Sequence, residues 1–267
     1  ACYGGSEGAV IRARCPSGVR VRFASNTRFL KVAIRFGRVA RPLDTIDLHV
    51  DGLRWGTFVG DRAAAPWRAT LFRDVESRCR TFELALPHCV EAWLAELEIE
   101  DGAGIESIPP EPDTWLVIGD SISQGMTCGS PSRAYTATAA RALALNHQNT
   151  AVGGAQMNPA AADTAAIPAA IATVLFGCND WNVAKPLDRF EADSAAFLER
   201  FFVAHPRTPL GVITPIPSVR DGGECNKAGV ALEAYRAVLR KLAPRYAGVQ
   251  LIEGPSLVPA DRQFFCD

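Results

Sequence analysis

Four short segments of this chain combine residue types that can do acyl chemistry. The first is Gly119-Asp120-Ser121-Ile122-Ser123-Gln124-Gly125. Glycines flanking a serine permit a tight turn that exposes the hydroxyl. A helix starting there would favour developing negative charge, although the same pattern suits an ordinary helix cap. The second is Val152-Gly153-Gly154-Ala155, where a glycine N–H can approach a substrate closely or simply serve a turn. The third, Gly177-Cys178-Asn179-Asp180-Trp181, offers the Asn179 amide, either to a substrate or as a cap for the next helix. The fourth is Phe264-Phe265-Cys266-Asp267. A hydroxyl and several N–H donors on one point are what acyl transfer requires. Ser121 would attack a carbonyl, and the N–H groups of Ser121 and Gly154 with the Asn179 side chain would hold the oxyanion. Each such donor contributes about 3 kcal/mol. Asp120 and Asp180 read as supporting carboxylates that accept backbone N–H groups around the serine turn and the Asn179 loop. A glycoside-cleaving pair would need one raised pKa and a set separation, which this spacing does not demand. Trp181 and Asn182 are candidates for a substrate pocket, with packing an equal reading for the tryptophan.

These segments need a scaffold that brings them to one edge, and the hydrophobic pattern supplies it. Trp115–Ile118, Thr150–Val152, Ile171–Phe176, Leu210–Thr214 and Val249–Ile252 read as short apolar strands. Ser132–Leu145 (with Ser132 as N-cap), Leu187–Ala204 and Lys227–Tyr246 read as helices between them. Strands alternating with helices imply a parallel sheet covered on both faces. Right-handed crossovers put the strand C-terminal ends, and the motifs that follow them, on one rim. The first hundred residues follow a different rule. Val19–Ala24, Leu30–Phe36 and Thr45–Val50 alternate with period two, and Trp67–Phe72, Cys79–Leu86 and Val90–Ile99 follow as strands. This predicts a small β-sandwich or jelly roll. The expected organisation is a sandwich over 1–104, a proline-rich linker over 105–113 and an α/β domain over 114–267.

The order of the motifs resembles that of the SGNH/GDSL hydrolases. Gly119-Asp120-Ser121 matches the family's first block, Gly154 its second, and Gly177-Cys178-Asn179-Asp180 its third. The resemblance spans roughly 114–267 and implies an α/β, flavodoxin-like five-stranded parallel sheet with Ser121 as nucleophile. The rival elbow G-x-S-x-G fails, because Ser123 stands where its second glycine belongs. Gly125-Met126-Thr127, Ser132-Arg133-Ala134-Tyr135 and the preceding sandwich look like a two-domain bacterial branch containing esterases and natural-product acyltransferases. The family base is a His three residues after an Asp. Here Asp267 closes the sequence, and His49, His88, His147 and His205 all lie elsewhere. His49 and His88 fall in the sandwich, His147 precedes the second strand on the wrong rim, and His205 sits at a helix end, where solvation is its expected role. The expectation is a chain truncated before its His, with Asp267 as the catalytic Asp. A serine without a base is a poor nucleophile, so the sequence as written would be nearly inactive and the complete protein active.

Composition narrows the classes further. The 267 residues are 48% apolar and 21% charged, as in ordinary globular proteins. With 28 Lys+Arg against 29 Asp+Glu, nothing favours a nucleic-acid partner. The most apolar stretch, Ala160–Phe176, is interrupted by Asp163 and Pro168, which argues against a membrane span. No leader pattern opens the chain, which leans toward a cytoplasmic location. Eight cysteines without any C-x-x-C suggest buried thiols with one or two bridges rather than a metal or redox centre. No metal and no cofactor is expected. The functional expectation is a serine esterase acting on O-acyl esters of small molecules or carbohydrates. Its alternatives are an acyltransferase to an alcohol of a natural product or sugar, and a non-catalytic carbohydrate-binding protein.

Overall fold

Two hydrophobic periods build two differently constructed bodies. The structure, a computed structural model, describes residues 6–221, 223–259, 261 and 263. The chain begins with α1 (Glu7–Ala13), capped by Ser6, whose side chain accepts the Ala9 N–H. Eight strands follow: β1 (Arg20–Ser25), β2 (Phe29–Val39), β3 (Thr45–Val50), β4 (Leu53–Val59), β5 (Trp67–Arg73), β6 (Arg80–Ala85), β7 (Val90–Glu98) and β8 (Ile105–Ser107). They pair antiparallel in two sheets, β4-β3-β6-β1-β8 and β5-β2-β7. Leu30, Ile34, Ile46, Leu48, Phe72 and Phe82 fill the space between the sheets. Neither α1 nor β4 was expected from the pattern. The first residues of the expected linker form β8 and pair with β1.

The second body contains β9 (Thr114–Gly119), α2 (Ser121–Gln124), α3 (Tyr135–Ala142), β10 (Asn146–Asn149), β11 (Ile171–Leu175), α4 (Cys178–Asn182), α5 (Leu187–Ala204), β12 (Leu210–Ile213), α6 (Leu232–Leu242) and β13 (Val249–Ile252). Its five strands are all parallel in the order β10-β9-β11-β12-β13. That is the flavodoxin-like order, with its switch point beside the first strand. Ile118, Val174, Phe176, Phe190, Phe197 and Tyr235 are among the residues of its largest core.

Several expected boundaries shift, each for a physical reason. The second strand of this sheet is Asn146–Asn149 rather than Thr150–Val152. As an edge strand it carries polar residues, while the buried Ala151 and Val152 pack in the turn beyond it. The expected helix from Ser132 splits into a 3-10 turn, Pro131–Arg133, and α3. Ser132 caps neither: it lies inside the 3-10 turn, Ala134 stands at the cap position of α3, and the Ser132 N–H donates to the Asp47 carboxylate at 2.8 Å. Helix α6 starts only at Leu232, since the Asn226 side chain accepts the N–H groups of Ala228 and Val230 and closes a turn before it. His205 is buried rather than solvated, its ring 5.0 Å from that of Phe201 and tilted against it, and it is hydrogen-bonded to Thr164. Cys15, Cys79, Cys89, Cys128, Cys178 and Cys225 are free thiols, which corrects the expectation of bridges among them. Cys2 and Cys266 lie outside the described residues. Among the described residues, no helix is long and apolar enough to cross a membrane.

The two bodies share a polar seam. Strand β3 is buried along its whole length, although its alternation predicted one wet face. The second face meets the α/β body instead of water. Thr45 Oγ1 donates to the Gly129 carbonyl, and Asp47 accepts from Ser132 N–H and from Thr57. Burial works to raise the Asp47 pKa, but these hydrogen bonds, led by Thr57, hold it below its usual range. A buried acceptor with several donors is costly to delete, because each donor is left unpaired. Asp47→Ala is expected to lower unfolding free energy by roughly 2–3 kcal/mol, read by urea denaturation, with Asp47→Asn losing less.

Candidate active site

Strand register sets the site's position. Gly119 at the end of β9 lies opposite Leu175 at the end of β11, so the residues after each emerge side by side. Gly119 has no room for a side chain: a Cβ there would stand 2.7 Å from Ser123 Oγ and 2.9 Å from the Leu175 carbonyl. The chain then turns at once into α2. Asp120 caps this single turn, its Oδ1 accepting the Ile122 N–H at 2.9 Å. Ser121, half-buried, is the first helical residue. Gly125, at φ 81°, ends the turn in a left-handed conformation suited to glycine.

Asn179 arrives from the neighbouring strand on α4. Its Nδ2 donates to Asp120 Oδ2 at 3.3 Å and to the Ala155 carbonyl at 3.0 Å. One amide therefore touches both the serine turn and the loop that carries Gly154. Both of its hydrogens are engaged, so a substrate oxygen would have to share or displace one acceptor. Gly154 is exposed with φ +78°. Beside it, the Gly153 N–H donates to Gln124 Oε1 at 2.6 Å, while Gln124 Nε2 donates to the Arg12 carbonyl at 2.8 Å. Sequence reasoning passed over Gln124 and Arg12. The signal for Gln124 was a polar residue on a turn otherwise packed inward; nothing local marked Arg12.

The supporting residues divide by role. Asp180 is fully buried, accepts the Met157 N–H at 3.0 Å and pairs with Lys185 at 3.1 Å. It thereby ties α4 to the loop after Gly154. Trp181 is 2% exposed, packs in the core and donates its ring N–H to the Val230 carbonyl. Packing accounts for this burial. Asn182 is exposed and accepts from Arg220, whose guanidinium lies 4.7 Å from the Trp181 ring centroid.

Electrostatics follow from burial. Asp120 is pushed up to about 7 by desolvation, with the Ile122 N–H pulling down and Asp180 adding to the rise. Burial also raises Asp180, against the Met157 N–H and Lys185. No described histidine bonds to Ser121. His88 faces Cys128 Sγ at 3.4 Å and is pushed down to about 4 by burial. His147 pairs in register with Trp115, near the start of β9 and away from the Ser121 rim, and burial takes it down to about 4 as well. His49 sits in β3. Asp267 lies outside the described residues, as does the Phe264–Cys266 run.

Comparisons with known proteins agree with this layout. Residues 117–264 match the GDSL-like Lipase/Acylhydrolase family. Among solved structures, the salicylyl-acyltransferase SsfX3 from a tetracycline biosynthetic pathway is 24% identical with a TM-score of 0.82, covering 94% of this chain and 74% of that one. A GDSL-like lipase structure from Bacteroides ovatus is 20% identical with a TM-score of 0.77, covering 93% and 77%. A family two carbohydrate esterase from Clostridium thermocellum, in complex with cellohexaose, is 14% identical with a TM-score of 0.70, covering 89% and 82%. The similarity extends across both bodies of the fold. No curated protein sequence matches the chain.

Two outcomes are expected at this site. Asp180→Ala leaves the Met157 N–H unpaired and takes one of the two carboxylates beside Lys185, Asp193 remaining at 2.7 Å, and should cost about 2 kcal/mol, with faster amide exchange across 153–158 measured by mass spectrometry. Asp120 keeps its proton in the folded state up to about pH 7, whereas an unfolded Asp loses it near 4. Its presence therefore costs stability progressively as pH rises from about 4 to about 7. Asp120→Asn removes this dependence, so its melting temperature should gain on the parent's across that interval.

Proposed function

Because the chain belongs to the GDSL-like lipase/acylhydrolase family, we propose that it transfers acyl groups from O-acyl esters through a covalent intermediate on Ser121. The observation that carries this reading is the convergence of Ser121, the Gly154 loop and Asn179 from three adjacent strand ends, linked by Asp120 and Ala155. The Ser121 Oγ attacks the ester carbonyl carbon and gives its proton to a general base. The resulting oxyanion takes hydrogen bonds from the N–H groups of Ser121 and Gly154 and from Asn179. Collapse expels the alcohol, which takes up the proton, and leaves Ser121 acylated. Water then completes an esterase cycle; an alcohol completes an acyltransferase cycle. The family resemblance assigns the orienting carboxylate to Asp267 and the role of base to a His.

Esterase activity on small O-acyl esters, including those of carbohydrates, is the primary reading. The solved structures of similar fold include both an acyltransferase and a carbohydrate esterase, so transfer to an alcohol is kept as the second. Protein expressed from its whole reading frame should react with a fluorophosphonate at Ser121 and hydrolyse acetyl esters. Ser121→Ala should remove the label and lower kcat by roughly four to six orders of magnitude. Turnover of an acyl-thioester with a panel of alcohols, compared with hydrolysis, separates the two acceptors: faster hydrolysis throughout excludes the transferase. No label on the folded protein would turn the reading to a binding protein.

A further inference from the structure

Helix α1 precedes the sandwich in sequence, yet its last turn lies against the active-site loop. Gln124 holds the Arg12 carbonyl at 2.8 Å and the Gly153 N–H at 2.6 Å, so one amide side chain docks α1 onto the loop. The Arg12 side chain then runs across both glycines. A Cβ on Gly153 would lie 2.8 Å from Arg12 Cδ, and a Cβ on Gly154 would lie 3.2 Å from Arg12 Nη2. The guanidinium thus borders the space that a side chain would fill on the glycine proposed to bind the oxyanion. Gly8 of the same helix lies against it as well, since a Cβ there would stand 3.3 Å from Arg12 Nη2. Two glycine surfaces bracket the fork.

Among the described residues, the charge on this fork is unanswered. Arg12 is half-buried, and its Nε is wholly covered without a hydrogen-bond partner. Among the described residues no carboxylate pairs with it, whereas Arg20, Arg38, Arg80, Arg236 and Arg240 each pair with at least one. Its recorded electrostatic neighbour is the Cys15 thiol, which burial keeps protonated. A partly desolvated guanidinium without a counter-charge is unfavourable until an anion reaches it, and its planar fork suits a carboxylate or phosphate. The transition-state oxyanion does not answer that need, because it is transient and is assigned to the N–H groups of Ser121 and Gly154 and to Asn179. A permanent cation is matched by a group that is charged throughout the reaction.

We propose that Arg12 is a specificity-determining residue that binds a permanent negative charge on the substrate, making the preferred ester an anionic one. This rests on the acyl-transfer reading of Ser121 for its chemistry, but the anion site itself is a property of Arg12. With the carbonyl oxygen at the Gly154 N–H and an anion about 2.8 Å from the guanidinium, roughly two or three carbons separate the charge from the carbonyl. The charge can belong to the acyl group or to the alcohol, and paired probes distinguish them. Monoethyl succinate carries it on the acyl side, with ethyl levulinate as its neutral isostere. Acetoxyacetate carries it on the alcohol side, with acetoxyacetone as its neutral isostere.

The test is NMR titration of these four esters into the Ser121→Ala protein, which binds without turnover. At least one anionic ester should bind ten-fold or more tightly than its isostere. Adding Arg12→Gln should abolish that preference while leaving the neutral esters within two-fold, and Arg12→Lys should retain part of it. Unchanged melting temperatures establish that the variants fold, and the backbone contact to Gln124 is not altered by either substitution. Equal binding of charged and neutral esters, undetectable binding of both anions, or a preference that survives Arg12→Gln overturns the assignment. Fluorophosphonate labelling of the parent reports separately on Ser121. A labelled serine without charge preference sinks the Arg12 proposal alone, and an unlabelled serine sinks the acyl-transfer reading while the anion site stands or falls on the titration.

Discussion

A buried carboxylate holds the functional edge of this protein together. Asp120 has one oxygen on the Ile122 N–H and the other on the Asn179 amide, so it binds the serine turn to the loop of the next strand. The interaction is expensive to make, because desolvation pushes the carboxyl up to about 7. It persists because the strand ends already place these groups in reach. Parallel register sets Gly119 opposite Leu175, and no side chain intervenes at Gly119 to push the strands' successors apart. Removing any one of these elements would leave a serine on a turn with nothing aimed at the same point.

A second set of contacts extends that edge beyond the α/β body. Gln124 joins the serine turn to Gly153 and to α1, while Asp47 and Thr45 join the sandwich to the segment between α2 and α3. The sandwich is therefore more than an appended module. It holds the segment that follows the Ser121 turn, and the segment leading into it brings a guanidinium to the glycine proposed to bind the oxyanion. Buried polar groups at such a seam give orientation rather than large net stability, because each hydrogen bond replaces one with water. Orientation is what a site assembled from two bodies needs.

The α/β order, the five-stranded parallel sheet and the placement of Ser121, Gly154 and Asn179 after successive strands were legible in the chain. Continuous apolar runs mark buried parallel strands, and glycines mark turns that no side chain can enter, as at Gly119. Period-two alternation likewise announced the sandwich. These signals are local: each depends on residues within a few positions of one another.

What escaped the sequence was long-range. The polar edge strand Asn146–Asn149 looks unlike a strand because its character comes from its neighbour, β9, and not from its own composition. Ser132 resembles a helix cap from its neighbours alone, but the fold puts it inside a 3-10 turn and sets its N–H on Asp47, remote in sequence. Trp181 reads equally as a pocket or a core residue in the sequence, and the fold buries it in the core cluster with Phe190, Leu232 and Tyr235. Arg12 has no local signature at all, and its place over Gly154 exists because Gln124 anchors α1 there. Periodicity and turn chemistry are written in neighbouring residues, so the chain carries them openly. Which polar group meets which across more than a hundred positions depends on packing the two bodies together, and that information resides in the folded contacts.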